Sequence, residues 1–425
     1  MKYKKFERRK VRIKTDDGRV FEGFIIPKTE FSSEDIVVLK LRSGYNIGIS
    51  EKRIKEIEDL GEEAEVGRVI LREKIEGKGP RVTMIGTGGT IASRVDYLTG
   101  GVKASMSVEE ILSFVPEVEK FADLKFINLM QKLSEDMVPE NWKQIAEEVG
   151  KHIKGSNGIV ILHGTDTMHY TSSILSFMID ALKPIILTGA QRSSDRPSTD
   201  AFINILASVH AALSDIGEVA ICFHASMSDE CNYVIRGNRA RKMHTSSRPA
   251  FKSINYPPLA RIWPDGRFEK IAEYYSRNNE YEPKIDTKIE EKVALVKVYP
   301  GADPEILRWF AERGYRGIII EGTGLGHVPV APDNGKSWIP VIEELSEEVF
   351  VGIVSQTIFG RTHRYVYTNL RKLHQAGAVH LEDMTAEAAY TKAMWVLGHV
   401  QDLEEAKKLM LKNLKGEISK RTLNV

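Results

Sequence analysis

Hydroxyl and acidic side chains follow three apolar runs of the chain, at points where buried strands would end. Thr90 follows RVTMIG in TGGT, Thr165 and Asp166 follow IVILH in GTDT, and a third polar segment, LTGAQRSSDRPSTDAF (187–202), follows the next run. A hydroxyl beside backbone N–H groups is what acyl transfer requires, because a nucleophile then lies next to donors that stabilise an oxyanion. Three such ends together predict one polar cleft rather than three unrelated turns.

Each motif also has a simpler interpretation. TGGT resembles a dinucleotide-binding turn, but the position that requires a third small residue holds Ile91, so that function is not favoured. Thr165 or Asp166 could cap a helix that begins near HYTSSILSFMIDAL. His163 and His169 lie six residues apart without a third ligand, which predicts structural rather than metal-binding roles.

A lysine in a largely apolar stretch is the candidate proton acceptor. The segment FKSINYPPLA (251–260) places Lys252 between Phe251 and Ser253. A lone lysine usually extends along the protein surface. A lysine that points into a cleft is desolvated instead, and can then accept the proton of a threonine hydroxyl. The spacing leaves both possibilities open.

Alternating apolar runs and segments of helical spacing position these residues. RVTMI, GIVILH, PIILTG and EVAICFH are separated by segments such as SVEEILSF and ENWKQIAEEVGKHI, which predicts a parallel sheet covered by helices. Ligands of such sheets bind at the carboxyl ends of the strands, where TGGT and GTDT fall. After the polar stretch SRNNEYEPKIDTKIEEK, the runs VALVKVYP, GYRGIIIEGTGLGH and VFVGIVSQT predict a second, smaller α/β unit.

The first part of the chain has a different pattern. KVRIKTDDGRVFEGFIIP and DIVVLKLRSGYNIGIS alternate apolar and polar residues around Asp17-Gly18 and Ser43-Gly44, which are hairpin signals. Four or five short strands predict a small closed barrel of the SH3 or Sm type, for which RNA binding and a plain solvated surface remain open alternatives. The predicted division is an all-β barrel at 1–75, a larger α/β domain at 80–275, a linker at 276–291 and a smaller α/β domain at 292–425.

Composition limits the possible partners and compartments. The 425 residues are 42% hydrophobic, enough for a large core, and the net charge of +1 gives no overall attraction to nucleic acid or anionic membranes. Cys222 and Cys231 show no CxxC or zinc-type spacing, which fits a reducing compartment. No run of about 18 apolar residues predicts a membrane span, and the basic start lacks the apolar segment of a signal peptide. We therefore expect a cytoplasmic protein.

TGGTIAS, HGTDTM and FKSINYPPL, in this order, resemble the signature segments of the bacterial-type L-asparaginase/glutaminase family. The resemblance covers the α/β part of the chain and implies a two-domain amidohydrolase that needs no metal. It implies that Thr90 is the nucleophile and that Tyr97, in SRVDYLTGG, is the mobile-loop tyrosine that assists it. It also implies that Thr165, Asp166 and Lys252 are the second hydroxyl, the acid and the base.

The same resemblance implies how the substrate is held. In KLSEDM, Ser134 and Glu135 resemble the pair that binds the α-carboxylate and α-amino groups, although the commonest family pattern has glutamine in place of Glu135. The chemistry of amide hydrolysis agrees with these residue types. It requires backbone donors for an oxyanion, which a turn at Gly88 and Gly89 could supply, and an anion for the substrate ammonium, which Asp166 could supply.

The barrel joined to this body resembles the ammonia-supplying subunits of archaeal tRNA-dependent amidotransferases. That resemblance implies release of ammonia from glutamine or asparagine, and an E-type partner subunit that binds tRNA and ATP with Mg²⁺ and consumes the ammonia. It implies a homodimer within a heterotetramer, with tRNA contacted mainly through the partner. This chain has no GxxxxGK[ST] loop for ATP.

Two other functions are compatible with parts of the sequence. One is a stand-alone cytoplasmic asparaginase/glutaminase with an accessory barrel, which would leave the extra domain without a role. The other is an RNA-binding module with a degenerate hydrolase body, which is disfavoured because none of the proposed catalytic side chains is missing. Glutamine and asparagine differ by one methylene, worth about 1–3 kcal/mol of discrimination, so the sequence does not rank them.

Overall fold

The computed structural model describes residues 3–7, 9–27, 35–41, 46–63, 79–95, 102–104, 107–112, 115–194 and 198–422. The strands are β1 Arg9–Thr15, β2 Val20–Ile25, β3 Ile36–Leu41, β4 Asn46–Ser50, β5 Ile54–Glu63, β6 Arg81–Gly88, β7 Ser93–Val95, β8 Val102–Ala104, β9 Asp123–Lys132, β10 Gly158–Leu162, β11 Ile179–Asp180, β12 Ile185–Thr188, β13 Val219–His224, β14 Asn232–Arg236, β15 Ala240–Lys242, β16 Phe251–Ser253, β17 Ala260–Ile262, β18 Phe268–Lys270, β19 Lys284–Ile285, β20 Val293–Lys297, β21 Gly317–Gly322, β22 Phe350–Ser355 and β23 Val379–His380. The α-helices are α1 Val108–Leu112, α2 Pro139–His152, α3 Met168–Met178, α4 Ala201–Leu213, α5 Glu305–Ala311, α6 Ile339–Leu345, α7 Thr368–Gln375, α8 Ala386–His399 and α9 Leu403–Leu411.

Strands β1 to β5 form an antiparallel sheet in the order β4-β3-β2-β1-β5. Alternation of side chains buries Val11, Ile13 and Leu39 on one face, in the small core of an all-β domain. The predicted turn at Asp17-Gly18 connects β1 to β2, whereas Ser43-Gly44 lies outside the described residues. Within the described part of this domain, β4 and β5 end the ladder without pairing with each other, so backbone hydrogen bonds do not close it into a barrel.

The larger α/β part contains an eight-stranded sheet in the order β18-β17-β14-β13-β12-β10-β6-β9. Strands β13, β12, β10 and β6 are parallel, as predicted, and β9, which the sequence did not predict, joins them in parallel beside β6. Strands β14, β17 and β18 extend the sheet in antiparallel fashion, which the sequence did not predict. Only residues 225–231 connect β13 to β14, too few for the crossover that a parallel neighbour requires.

Both faces of this sheet are covered by helices. Ile161 packs in the core that includes residues of α2 and α3, while its neighbour Val160 packs in the core that includes residues of α4. This accounts for the continuous apolar runs, because every side chain of a strand covered on both faces is buried. The parallel ends are thereby held on a rigid, buried frame.

A second parallel sheet, β20-β21-β22-β23, forms the smaller α/β part. Helix α8 packs against α3 of the larger part, where Ser173 Oγ lies 2.7 Å from Thr391 Oγ1 in a buried contact. The polar stretch expected to be a linker carries β19, which pairs with β11 of the larger part. Within the described ranges, none of the helices combines the length and the apolar content needed to cross a bilayer.

Candidate active site

The strands that carry the predicted motifs are neighbours, as the sequence predicted. The order β12-β10-β6-β9 brings four carboxyl ends to one edge of the sheet. In the ladder, Leu162 pairs with Gly86 on one side and with Thr188 on the other. TGGT, GTDT and the segment beginning at Ser134 therefore leave the sheet side by side.

Two glycines allow these segments to touch. Gly89 has a φ of 77°, and a Cβ added there would overlap the backbone of Gly164. A Cβ on Gly164 would lie 2.6 Å from the Cβ of Ser134. No real Cβ approaches that closely, so the three turns can pack together only if both positions lack a side chain.

Replacing Gly89 with alanine is therefore expected to lower both the melting temperature and the amidase activity. The positive φ alone costs about 1–2 kcal/mol, and displacement of Gly164 adds to it. The matched control is Gly61→Ala, because Gly61 has a φ of 76° with no atom within 4 Å of an added Cβ. Thermal unfolding and ammonia release would be measured for both variants. Equal activity losses in the two would contradict the role of this contact.

The predicted oxyanion donor at Gly89 is already engaged. Its N–H donates to the carbonyl of Lys132 at 2.8 Å, which fixes the turn against the end of β9. The structure thus assigns Gly89 to close packing and turn geometry. Donation to a reacting carbonyl must come from another group in this region.

Ser134 is buried, with 2% of its surface exposed, and it holds the GTDT segment. Its hydroxyl accepts the N–H of Asp166 at 3.2 Å, and its carbonyl accepts the hydroxyl of Thr167 at 2.6 Å. Glu135, the next residue, is exposed to solvent. The structure therefore brings Ser134 and Asp166 together.

The cation at the site is Lys242. Its Nζ donates to Thr165 Oγ1 at 2.9 Å and to Asp166 Oδ1 at 2.6 Å. Thr165 is 5% exposed and the Lys242 side chain 9% exposed, whereas the Asp166 side chain is 64% exposed. A buried hydroxyl and a buried ammonium thus meet a carboxylate that faces the opening of the cleft.

Lys252 does not reach this site, and its placement in the cleft is wrong. Strands β15 and β16 form a two-stranded ladder in which Arg241 is opposite Lys252 and Lys242 is opposite Phe251. Residues directly opposite each other share a face of the ladder, and successive residues alternate faces. Lys252 therefore lies on the face of Arg241 and is exposed, while Lys242 points to Thr165.

Lys242 was missed because its strand is only three residues long. ARK and FKS each contain a lysine, and neither is long enough to show which face is buried. The signal that could have identified Lys242 was the alternation of side chains between the two faces of a strand. If ARK pairs with FKS in the observed register, the two lysines must point in opposite directions.

Thr90 lies at the start of a 3-10 turn, Thr90–Ala92, directly after β6. It is partly buried and borders a cavity of about 520 Å³ that is also lined by Gln191, Arg192, Ser246 and Arg248. The nucleophile proposed from the sequence thus opens to a polar cavity. Tyr97, which was expected to assist it, lies outside the described residues.

The third polar strand end has a structural acid. Asp200 is 1% exposed, and its carboxylate accepts the backbone N–H groups of Gln191 and Arg192 at 2.9–3.1 Å. Asn204 Nδ2 donates to the same carboxylate at 3.2 Å and to the carbonyl of Gly189 at 2.9 Å. This acid therefore fixes the loop after β12, which forms one wall of the cavity.

His163 is part of a buried hydrogen-bond chain beneath the site. Trp142 Nε1 donates to Thr171 Oγ1 at 3.0 Å, and Thr171 Oγ1 lies 3.0 Å from His163 Nε2. His163 Nδ1 lies 2.7 Å from the carbonyl of Gly164, which can only accept. Nδ1 therefore carries a proton, and because burial lowers the pKa of His163 from 6.5 to about 4, the ring is neutral near pH 7.

This histidine is expected to make stability depend on pH. Because its pKa is lower in the folded state, the unfolded chain binds the proton first as the pH falls. Its stabilisation is complete above pH 6.5 and is lost between pH 6.5 and about pH 4, an effect of about 3 kcal/mol. His163→Gln should therefore show a smaller drop in melting temperature between pH 7 and pH 5 than the parent chain. An equal drop would contradict the assignment.

Among the described residues, no group of three or more His, Cys, Asp or Glu side chains is arranged to hold a metal ion. Cys222 and Cys231 are both free and buried.

Comparisons with known proteins agree with this architecture. Residues 81–274 match the family model described as "Asparaginase, N-terminal", and residues 292–410 match "Glutaminase/Asparaginase C-terminal domain". The structure resembles the L-asparaginase of Thermococcus kodakarensis with a TM-score of 0.73 and 33% identity, covering 80% of this chain and 99% of that one. It resembles L-asparaginase I of Vibrio cholerae with a TM-score of 0.68 and 29% identity, covering 80% and 100%. Fold and site thus define a protein of the asparaginase class.

The remaining all-β part separates this chain from those asparaginases. Residues 7–60 match the model described as "GatD N-terminal domain". The D-type glutamyl-tRNA(Gln) amidotransferase subunit of Pyrococcus horikoshii is 49% identical over 415 residues, covering 96% of this chain and 93% of that protein. The corresponding protein of Methanothermobacter thermautotrophicus is 44% identical over 406 residues, covering 95% and 92%. The chain belongs to the family of D-type glutamyl-tRNA(Gln) amidotransferase subunits.

Proposed function

We propose that this chain releases ammonia from the side-chain amide of glutamine or asparagine through a threonine nucleophile. The ammonia would serve a partner subunit that converts Glu-tRNA(Gln) to Gln-tRNA(Gln). The observation that carries the proposal is the contact of Lys242 Nζ with Thr165 Oγ1 and Asp166 Oδ1 at the sheet edge where Thr90 opens to a cavity.

The proposed reaction has two half-reactions. Thr90 Oγ attacks the amide carbon, its proton passes to the departing nitrogen, and the C–N bond breaks to give ammonia and an ester of Thr90. Water then attacks the ester, giving the carboxylate product and restoring the hydroxyl. Thr165 and Lys242 form the acid–base pair for this proton traffic, in which the Lys242–Thr165 hydrogen bond reverses direction when the lysine accepts a proton.

Substrate binding is assigned to the neighbouring groups. Asp166 faces the opening and is suited to the substrate ammonium, and Ser134 Oγ accepts the N–H of Asp166. We assign Glu135, the exposed residue after Ser134, to substrate binding on the resemblance. Because the N–H of Gly89 is engaged, we assign oxyanion donation to the adjacent amide of Thr90. Tyr97 is assigned to the closing loop on the resemblance alone.

The partner is assigned from the names of the relatives and from the extra domain. An E-type subunit would bind tRNA and carry ATP and Mg²⁺, and two copies of each subunit would form a cytoplasmic heterotetramer built on a homodimer of this chain. The all-β domain predicted at 1–75 would dock the partner or its tRNA, with hydrolysis in the domains at 80–275 and 292–425, joined by the linker at 276–291.

The proposal is tested by the rate of ammonia release from glutamine and from asparagine. The chain would be assayed alone and with an E-type subunit from an archaeal relative, ATP, Mg²⁺ and Glu-tRNA(Gln). Strong stimulation by the complete mixture is expected. An unchanged rate would favour a stand-alone asparaginase, the function named for its structural neighbours.

A further inference from the structure

An ion pair between a buried carboxylate and a half-buried arginine lies beside the site and takes no part in the chemistry proposed above. Glu387, in the first turn of α8, is 3% exposed, and its Oε1 lies 2.6 Å from Arg241 Nη1. The same oxygen lies 3.7 Å from His169 Nε2. Arg241 is the residue before Lys242 in the chain. His169 lies in the first turn of α3, four residues after Thr165. One carboxylate from the smaller α/β part therefore contacts both segments that carry the site.

Stability alone does not account for this arrangement. Within the described part of the chain, Glu387 Oε2 and His169 Nδ1 are buried without a hydrogen-bond partner. Such a group lowers stability, and well-packed apolar side chains in place of a largely buried ion pair are often equally or more stabilising. The surroundings would admit apolar groups, since Phe251 lies 6.5 Å from the His169 ring centre to centre.

The geometry of the hairpin connects Glu387 to Lys242. Strand β15 is three residues long and, among the described strands, pairs with the equally short β16. One backbone hydrogen bond beyond each end, from Met243 to Ala250 and from Ile254 to Arg239, extends this hairpin, so a side-chain contact at Arg241 acts on a short ladder. Successive side chains of a strand point to opposite faces. Anchoring Arg241 to Glu387 on one face therefore determines where Lys242 points on the other.

We propose that Glu387 is a positioning residue for the amidase reaction. By holding Arg241 and bordering the start of α3, it fixes Lys242 at hydrogen-bond distance from Thr165 and Asp166. The inference rests on the proposed function. It adds that the smaller α/β part contributes to the site through the contact of Glu387 with Arg241.

The charges around Glu387 determine the expected pH effect. The charged or titratable groups that face it are Arg241 of β15, His169 and Tyr170 of α3, and Glu321 of β21 with its neighbour Lys297. Burial, with Arg241 and Lys242 nearby, lowers the pKa of His169 to about 3, so this ring is neutral at ordinary pH. Without the carboxylate, the charge of Arg241 is uncompensated beside Lys242, which disfavours a second positive charge there.

The first test is Glu387→Gln in the full chain, with ammonia release measured from pH 5 to pH 9. We expect kcat to fall at least about tenfold while KM changes less than about threefold, since misplacement of a catalytic group slows the chemical step. The acid limb of the profile should move to lower pH. The matched control is Glu417→Gln, which removes a buried carboxylate paired at 2.6 Å with Lys392, another residue of α8. If both variants keep the parent kcat and pH profile, the proposal is overturned.

A double variant separates position from charge and from folding. Arg241→Met with Glu387→Leu removes both charges and keeps the volume, so folding is expected to be retained. Because the two charges cancel, the acid limb should stay in place while kcat still falls about tenfold. Parent kcat in the folded double variant would overturn the proposal. Lys242→Met is assayed alongside: if it is fully active, the proposed function itself fails, whereas loss there with no loss at Glu387 rejects only the positioning role.

Discussion

Replacing Lys242 with methionine is expected to lower kcat for ammonia release by about 10²–10⁴-fold, the contribution typical of a positioned acid–base group. Methionine keeps the length of the side chain but can neither donate to Thr165 Oγ1 nor accept its proton. It also leaves Asp166 without the cation that lies 2.6 Å from its carboxylate. The measurement is steady-state ammonia release from glutamine and asparagine, with circular dichroism to confirm the fold.

The matched control for this change is Lys252→Met in the opposite strand of the same hairpin. Lys252 is exposed and faces away from Thr165. The kcat of the Lys252→Met variant is therefore expected to remain within about twofold of the parent value. The pair of variants decides between the two lysines. Loss of activity at Lys252 with none at Lys242 would refute the geometry of the site.

Replacing Thr90 with valine is expected to lower kcat at least about 10⁴-fold, because no ester intermediate can form without the hydroxyl. Valine has nearly the same shape as threonine, and the partly buried side chain at the start of the 3-10 turn can accept it. Folding and association with the partner subunit should therefore be unchanged. Ammonia release and size-exclusion chromatography with the partner measure the two properties separately.

The nucleophile can be identified in the same experiment. Acid quenching during turnover should trap an ester on the peptide that contains Thr90, detectable by mass spectrometry. Thr165→Val should still form this ester but hydrolyse it slowly, because Thr165 is assigned to proton transfer with Lys242. Appreciable activity in Thr90→Val, with an ester on Thr165, would contradict this assignment and identify Thr165 as the nucleophile.

Much of the frame was predictable because it rests on local patterns. The runs that became β6, β10, β12 and β13 are almost entirely buried along their length, the pattern of strands covered on both faces. Their order also placed TGGT and GTDT at one edge, because the carboxyl ends of neighbouring parallel strands lie together. The glycines of these turns were recognisable because they directly follow the apolar runs.

The rest depended on contacts distant in sequence. Lys242 meets Thr165 across 77 positions, and the two short strands that orient it show no periodicity of their own. Asp200 belongs to the polar segment 187–202 that was expected to line the cleft, but its carboxylate binds the backbone N–H groups of Gln191 and Arg192. The antiparallel strands β17 and β18 are three residues long, below the length at which alternation is informative, and the five residues of β14 do not alternate in burial.

The most direct test of the central claim follows the amide nitrogen. The chain, an E-type subunit from an archaeal relative, ATP, Mg²⁺ and Glu-tRNA(Gln) would be incubated with glutamine labelled with ¹⁵N in its side-chain amide. We expect ¹⁵N in the amide of the glutaminyl-tRNA formed. The label should be lost with Lys242→Met and should reappear with that variant when ¹⁵N-ammonium is supplied. Release of labelled ammonia at the full rate, with none of the label reaching tRNA, would contradict the central claim.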